Sequence, residues 1–239
     1  MNKRNRVSLQ PAFILHRRAY RETSLLLDVF TSDYGRLSLV ARGVRSERSS
    51  ARSLLQPFIP LIIDWQGKTE LMNLVSAESN GAYFFLQGDS LFNGFYLNEL
   101  LIRVLQPSDP HPILFETYHD TLLALQNNCF NEKILRLFEK KLLIELGYGL
   151  FSMNQSFLNN QFYQFDSEKG FVECKRDPLI KSFIFSGKSL LSFANEELTD
   201  PESLFDAKRL IRLAFRILLG IYDLHSRKLF QCFSSSPSS

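Results

Sequence analysis

The chain has 239 residues, 45% of them hydrophobic and 22% charged, with 22 Phe and a formal net charge of +3. That apolar load supports one large or two ordinary packed domains and excludes a disordered chain, while no apolar run reaches the ~20 residues of a bilayer-spanning helix. The charge is uneven: residues 1–55 hold 11 Lys/Arg against 4 Asp/Glu, and residues 56–150 hold 6 against 11, so a local anionic partner is expected at the front end.

In chain order, the first 80 residues show a period of two. Phe13, Leu15 and Arg17 alternate with Ile14, His16 and Arg18; Thr23, Leu25, Leu27 and Val29 alternate with Ser24, Leu26, Asp28 and Phe30. Leu37, Leu39 and Ala41 share one face, and Arg36, Ser38 and Arg42 the other. Two further strands are expected over LLQPFIPLIIDW (54–65) and TELMNLVSAE (69–78), with QGK between them at hairpin distance. The prolines of QPFIP predict an edge or bulged fourth strand. Five short strands with turn chemistry at SDYG and QGK predict a small closed barrel of the OB type.

After residue 85 the period becomes helical. Helices are expected over 90–105 and 112–126, parted by PSDPHP, and over 131–147, where Ile134, Phe138, Leu142 and Leu146 recur, Asn131 is the N-cap and Gly147 follows the end. Residues 148–186 lose the helical period and predict short strands or loop. A helix over 200–220 has Pro201 in its first turn, and SSSPSS reads as a disordered tail. The expected fold class is α+β and multidomain: an N-terminal OB-fold β-barrel over 1–83, then a mainly α-helical domain over 84–239 with the irregular insertion at about 148–186.

The stretch LSLVARGVRSERSSARSLLQPF (37–58) packs Arg42, Arg45, Arg48 and Arg52 around a single acid, Glu47. Arg17, Arg18 and Arg21 lie in the neighbouring strand region, and Arg36 shares the polar face of Arg42. A solvated loop is one reading of such a run. The other is a phosphate track on one side of the barrel, because the planar guanidinium donates two hydrogen bonds to neighbouring oxygens. Tyr20, Phe30 and Tyr34 are candidate stacking platforms. No acceptor pattern for reading base edges accompanies the cations, so sequence-specific recognition is not expected. On the 131–147 helix, Arg136, Lys140 and Lys141 either pair with neighbours such as Glu132 or offer cations beside an apolar groove for an acidic, aromatic peptide end. Lys208, Arg212 and Arg216, with Arg209, form a further stripe, read as a solvated helix face or an extension of the track.

Catalysis and cofactors are not expected. His16, His111, His119 and His225 lack HExxH spacing, the pair His119–Asp120 lacks a second ligand pair, and neither GxSxG nor GxxxxGK[ST] occurs. Cys129, Cys174 and Cys232 are sparse and widely spaced, as expected of free thiols in a reducing cytoplasm. The N-terminus is basic without an h-region or cleavage site, so no signal peptide is expected.

The series RETSLLLDVFT (21–31), GRLSLVARGVR (35–45), FYLNELLIRVL (95–105), LRLFEKKLLIELGYG (135–149), FYQFDSEKGF (162–171) and SRKLFQCF (226–233) resembles the bacterial recombination mediator family RecO over nearly the whole chain. The resemblance implies an OB fold followed by a helical domain, and binding of single- and double-stranded DNA with annealing of complementary strands. It further implies attachment to the C-terminal tail of the single-stranded-DNA-binding protein, and joint action with RecR in loading RecA, in the bacterial cytoplasm and nucleoid. By the same resemblance Arg18, Arg36, Arg42 and Arg45 contact phosphate; Arg17, Arg48 and Arg52 of the basic region complete the expected DNA-binding set. Arg136 would hold the peptide's carboxylate end beside Lys140, with Leu142, Leu146 and Tyr148 as the apolar wall, although Leu137 stands where the family motif has a second basic residue. Some members carry a four-cysteine zinc site after LGYG. Here that segment holds only Cys174, so no metal is expected, and Phe157, Phe162 and Phe165 are expected to fill the space by packing. The alternative function is a protein–protein adaptor without direct DNA binding.

Overall fold

The structure is a computed structural model that describes residues 6–46, 51–127, 132–151, 156–175, 183–220, 224 and 226. Five strands close into a barrel: β1 (Arg6–Tyr20), β2 (Ser24–Thr31), β3 (Gly35–Ala41), β4 (Leu61–Gln66) and β5 (Leu71–Ser79). Their order around the barrel is β1-β2-β3-β5-β4. Closure comes from a short parallel pairing of β3 with β5, Ser38↔Leu71, Leu39↔Met72 and Val40↔Asn73. The period of two is what fills the barrel. Leu25, Leu27, Val29, Leu37, Leu39 and Ala41 point inward with Ile63 and Trp65, and their sequence neighbours point outward.

β1 carries two irregularities that the alternation alone does not reveal. Its register shifts between Ile14 and His16, so Ile14 faces the core before the bulge and Arg17, opposite the core residue Leu27, falls on the inward row after it. A second shift lies between Val7 and Gln10. There Leu9 adopts a φ of 57°, and its N–H donates to Asp64 Oδ1 at 2.9 Å.

The fourth strand differs from expectation. β4 starts at Leu61, after both prolines of QPFIP, which precede the ladder instead of interrupting it. Residues 51–54 form a one-turn helix, α1 (Ala51–Leu54). Ala51, Leu54 and the buried Leu55 pack against the barrel core and close one end of it.

The outer face of β1 and β2 is covered by α2 (Gly88–Val104) and α3 (Pro112–Gln126). Phe13 meets Tyr118 at 5.1 Å and Phe30 meets Phe115 at 5.4 Å between ring centroids. Phe30 is therefore core, not a stacking platform. Contact density places the barrel, α2 and α3 in one compact unit, Met1–Cys129 with Leu224–Ser239, and Phe130–Asp223 in a second.

The second unit holds α4 (Glu132–Glu145), the strands β6 (Phe162–Asp166), β7 (Gly170–Cys174) and β8 (Ile184–Ser186), then α5 (Gly187–Ala194) and α6 (Pro201–Leu219). The small antiparallel sheet has the order β7-β6-β8. Phe151, Phe157, Phe165, Phe171 and Phe193 interlock edge to face and stacked at centroid distances of 5.3–6.0 Å. Phe157 and Phe165 are buried in this cluster and Phe162 is half-buried. Just beyond the end of α4, Gly147 has a φ of +82° that lets Tyr148 N–H return to Leu143 O at 2.8 Å. Asp200 caps α6 through Ser203 N–H at 3.0 Å. The expected N-cap Asn131 and the tail SSSPSS lie outside the described residues. No described helix is long and apolar enough to cross a membrane.

Candidate nucleic-acid interface

Directly paired residues of a sheet project from the same face. The pairings Arg18↔Leu26, Leu26↔Val40 and Val40↔Asn73 therefore define one row across the outer face of β1, β2, β3 and β5. Arg42 continues the outward parity of β3 beyond Val40, and Arg21 sits in the β1–β2 turn beside it. This face, with the loop after the first strand, is where OB barrels commonly hold oligonucleotides.

Two of the expected arginines build the site by tying loops to one another. Arg45 Nη1 donates to the carbonyls of Arg21 at 3.1 Å and Glu22 at 3.3 Å. Its backbone N–H reaches Thr23 O at 2.9 Å. The exit of β3 is thereby bound to the β1–β2 turn, and Arg21, Arg42 and Arg45 gather at one end of the barrel. Arg17 Nη1 donates to Leu55 O at 3.2 Å and Arg52 O at 3.4 Å, which holds α1 against the same end. Arg18, Arg21, Arg42, Arg45 and Arg52 are exposed and Arg17 is half-buried. Among the described residues none of these six forms an ion pair with a carboxylate. Arg48 lies outside the described residues.

Arg36 is placed differently. It has the outward parity of Arg42, but its Nε donates to Leu105 O at the end of α2, 3.0 Å away, and its side chain is 17% exposed. Asp28 lies 3.9 Å from its Nη1. Arg36 braces the barrel to α2, because the helix covers that part of the face. Tyr34, in the β2–β3 turn at the opposite end of the barrel, stands edge-on to Trp65 at 5.1 Å. Arg21 and Asn73, outside the expected DNA-binding set, join it. Arg21 was legible as a neighbouring cation, whereas Asn73 reaches the site only through the long-range β3–β5 pairing.

The expected peptide-binding residues on α4 are mostly interior. Arg136 is buried, with Nη1 2.9 Å from Glu139 Oε2, itself fully buried. Lys140 donates to Phe193 O at 3.2 Å, Ala194 O at 2.8 Å and Glu196 Oε1 at 3.1 Å. It caps the carbonyl end of α5, where a cation is favoured by the helix dipole. Leu142 is fully buried. The physical reason is that α4 packs against α6 and, through Lys140, against the end of α5, so the buried arc widens from Leu135 and Phe138 to include Arg136 and Lys140. Leu146 is half-buried and Tyr148 exposed, and the exposed Lys141 and Ile144 lie on the face leading to Tyr148.

On α6, Lys208 pairs with Glu132 at 2.6 Å and Arg209 with Asp206 at 2.6 Å. Arg209 also lies over the Phe185 ring at 4.9 Å. That stripe is largely committed within its own unit. His119 lies 3.2 Å from Asp120, and among the described residues no group of three or more His, Cys, Asp or Glu surrounds them or any other point. Burial pushes the Cys174 thiol above its ordinary range, with Glu173 adding to the effect.

A closed five-stranded barrel with an arginine-lined outer face, followed by a helical region, defines an OB-type barrel protein with an appended helical unit. The comparisons with known proteins give the family. Residues 6–83 match the family model for the recombination protein O N terminal, and residues 87–228 match that for the recombination protein O C terminal. The DNA repair protein RecO of Coxiella burnetii (strain RSA 493 / Nine Mile phase I) is 44% identical over 229 residues, covering 94% of this chain and 98% of the relative. That of Nitrosococcus oceani is 43% identical over 231 residues, covering 95% and 94%. That of Haemophilus influenzae (strain 86-028NP) is 42% identical over 228 residues, covering 93% and 95%. The chain belongs to the RecO family.

Proposed function

We propose that this chain is a DNA repair and recombination mediator that binds single- and double-stranded DNA through the barrel and anneals complementary strands. The observation that carries this reading is the set of exposed guanidiniums toward one end of the barrel, where Arg45 ties the exit of β3 to the turn that carries Arg21, without carboxylate partners among the described residues. Cations so placed repel one another until a polyanion arrives, and bound phosphate screens two strands from each other as they pair. The working set is Arg18, Arg21, Arg42, Arg45 and Arg52, with Arg17 positioning α1.

Family membership and the names of the relatives support the repair role. We further propose, as the resemblance implies, that the chain attaches to the C-terminal tail of the single-stranded-DNA-binding protein and acts with RecR to help load RecA, without itself making or breaking covalent bonds, in the bacterial cytoplasm. With Arg136, Lys140 and Leu142 interior, the peptide contact falls to the surface of α4 and its end: Lys141, Ile144, Leu146 and Tyr148. A tether of this kind raises the local concentration of a weak DNA contact to roughly the mM range.

Strand annealing with bare and protein-coated DNA, with the tail peptide as competitor, tests the proposal. Annealing of bare strands is expected regardless of peptide, and annealing of coated strands only without it. Failure of the native, folded protein to bind or anneal bare strands would favour the adaptor alternative.

A further inference from the structure

A cleft of about 350 Å³ opens on the outer face of the barrel between the β1–β2 turn and the start of β5. It follows from the topology. The parallel pairing of β3 with β5 ends at Val40↔Asn73, and beyond it Arg42 and the turn form one side while Leu71 and Asn73 form the other. Tyr20, Arg21 and Ser24 complete the lining.

Two features suit this cleft to something flatter and more specific than a phosphate. Arg21 has a φ of 51°, in the left-handed region, and its guanidinium lies 5.2 Å from the centre of the Tyr20 ring. The turn thus presents a planar cation and an aromatic ring as a stacking platform. Asn73 brings a side-chain amide with both donor and acceptor capacity. The volume sits at the lower end of the ~300–1,000 Å³ typical of small-ligand sites. That is room for about one nucleotide.

We infer that the cleft takes a single unstacked nucleotide, its base against the Tyr20–Arg21 platform and the Asn73 amide and its phosphate on Arg42. A base engaged in a duplex has its faces stacked and its edge paired, so only single-stranded DNA fills the site. The amide meets the edge of any base, which gives strand selectivity without sequence selectivity. The inference rests on the DNA-binding reading above and adds to it a part of the site that responds to bases.

The experiment measures binding of the full chain to three fluorescent probes of equal length: an oligothymidylate, an abasic single strand and a duplex. The native protein is expected to bind the oligothymidylate about 5- to 20-fold more tightly than the abasic strand. Tyr20→Leu and Asn73→Ala are expected to remove most of that difference and to weaken the oligothymidylate far more than the duplex. Equal affinity of the native protein for the thymidylate and abasic strands overturns the inference, and needs no variant to fold. Variants that weaken all three probes alike overturn it as well. If the native protein binds all three equally and Arg42→Ala/Arg45→Ala weakens each, the phosphate reading stands and the cleft alone is lost. If it binds none, both fall.

Discussion

The guanidinium of Arg45 donates to the carbonyl oxygen of Arg21 at 3.1 Å, so one cation of the basic end holds the turn that carries another. Arg45 therefore contributes twice, by its charge and by the position it gives Arg21, whereas Arg42 contributes only charge. Arg42→Ala is expected to weaken DNA binding about threefold and Arg45→Ala about tenfold at low salt. Fluorescence anisotropy with both unfolding midpoints recorded checks this. Equal losses would mean that the turn keeps its place without Arg45.

Gly35 joins β2 to β3 at a φ of +66°, and a Cβ there would overlap the carbonyl oxygen of Asp109 in the α2–α3 loop. The same loop is tied to β3 by Ser108 N–H donating to Arg36 O at 2.9 Å. Gly35→Ala is expected to destabilise the barrel unit by about 2–4 kcal/mol, combining backbone strain with steric displacement of the loop. Urea unfolding measures it; a change below about 0.5 kcal/mol would show that the loop gives way freely.

Asp64 is one acid-sensitive point of the barrel. Its carboxyl is held below the ordinary value of 3.8, first by the hydrogen bond from Arg6 and then by that from Leu9 N–H. A depressed carboxyl contributes stability above its unfolded value and loses it as the pH falls through the folded one. The Arg6 side chain is 55% exposed, which screens the largest of these contributions; the Leu9 bond at the β1 bulge adds to it. Asp64→Asn is expected to cost about 1–2 kcal/mol at neutral pH, and the gap to the native protein should close below about pH 3.8. A gap that persists in acid would assign the cost to packing.

Arg136 and Glu139 give a test inside the helical unit. Arg136→Met removes the cation that lies 2.9 Å from the fully buried Glu139 carboxylate and should destabilise the unit by about 3 kcal/mol. The double change Arg136→Met/Glu139→Leu should recover most of that. A stable Arg136→Met that instead loses affinity for an acidic peptide would restore Arg136 as a peptide anchor.

Much of this architecture was readable from the chain. Outward Arg36, Ser38 and Arg42 against inward Leu37, Leu39 and Ala41 gave the barrel face, because strand parity is local. The turn at Gly147 followed from one glycine after an amphipathic run. What escaped reading depends on distant partners. Arg36 has the same parity as Arg42, yet α2 covers it, and no spacing in β3 reports that. Arg136 and Lys140 look like surface cations on a helix of period 3.6, but the neighbours of α4 widen its buried arc. The bulge after Ile14 turned Arg17 inward, toward α1, while Asn73 joined the site through the β3–β5 closure.

The central claim is that the barrel end binds the phosphate backbone, and the salt dependence of single-strand affinity tests it most directly. For about five neutralised phosphates, log K should fall with log[salt] at a slope of roughly −3.5, reduced in magnitude by about 0.7 for each of Arg18, Arg42 and Arg52 replaced by Ala. A slope near zero, or one that these replacements leave unchanged in a folded protein, would contradict the account.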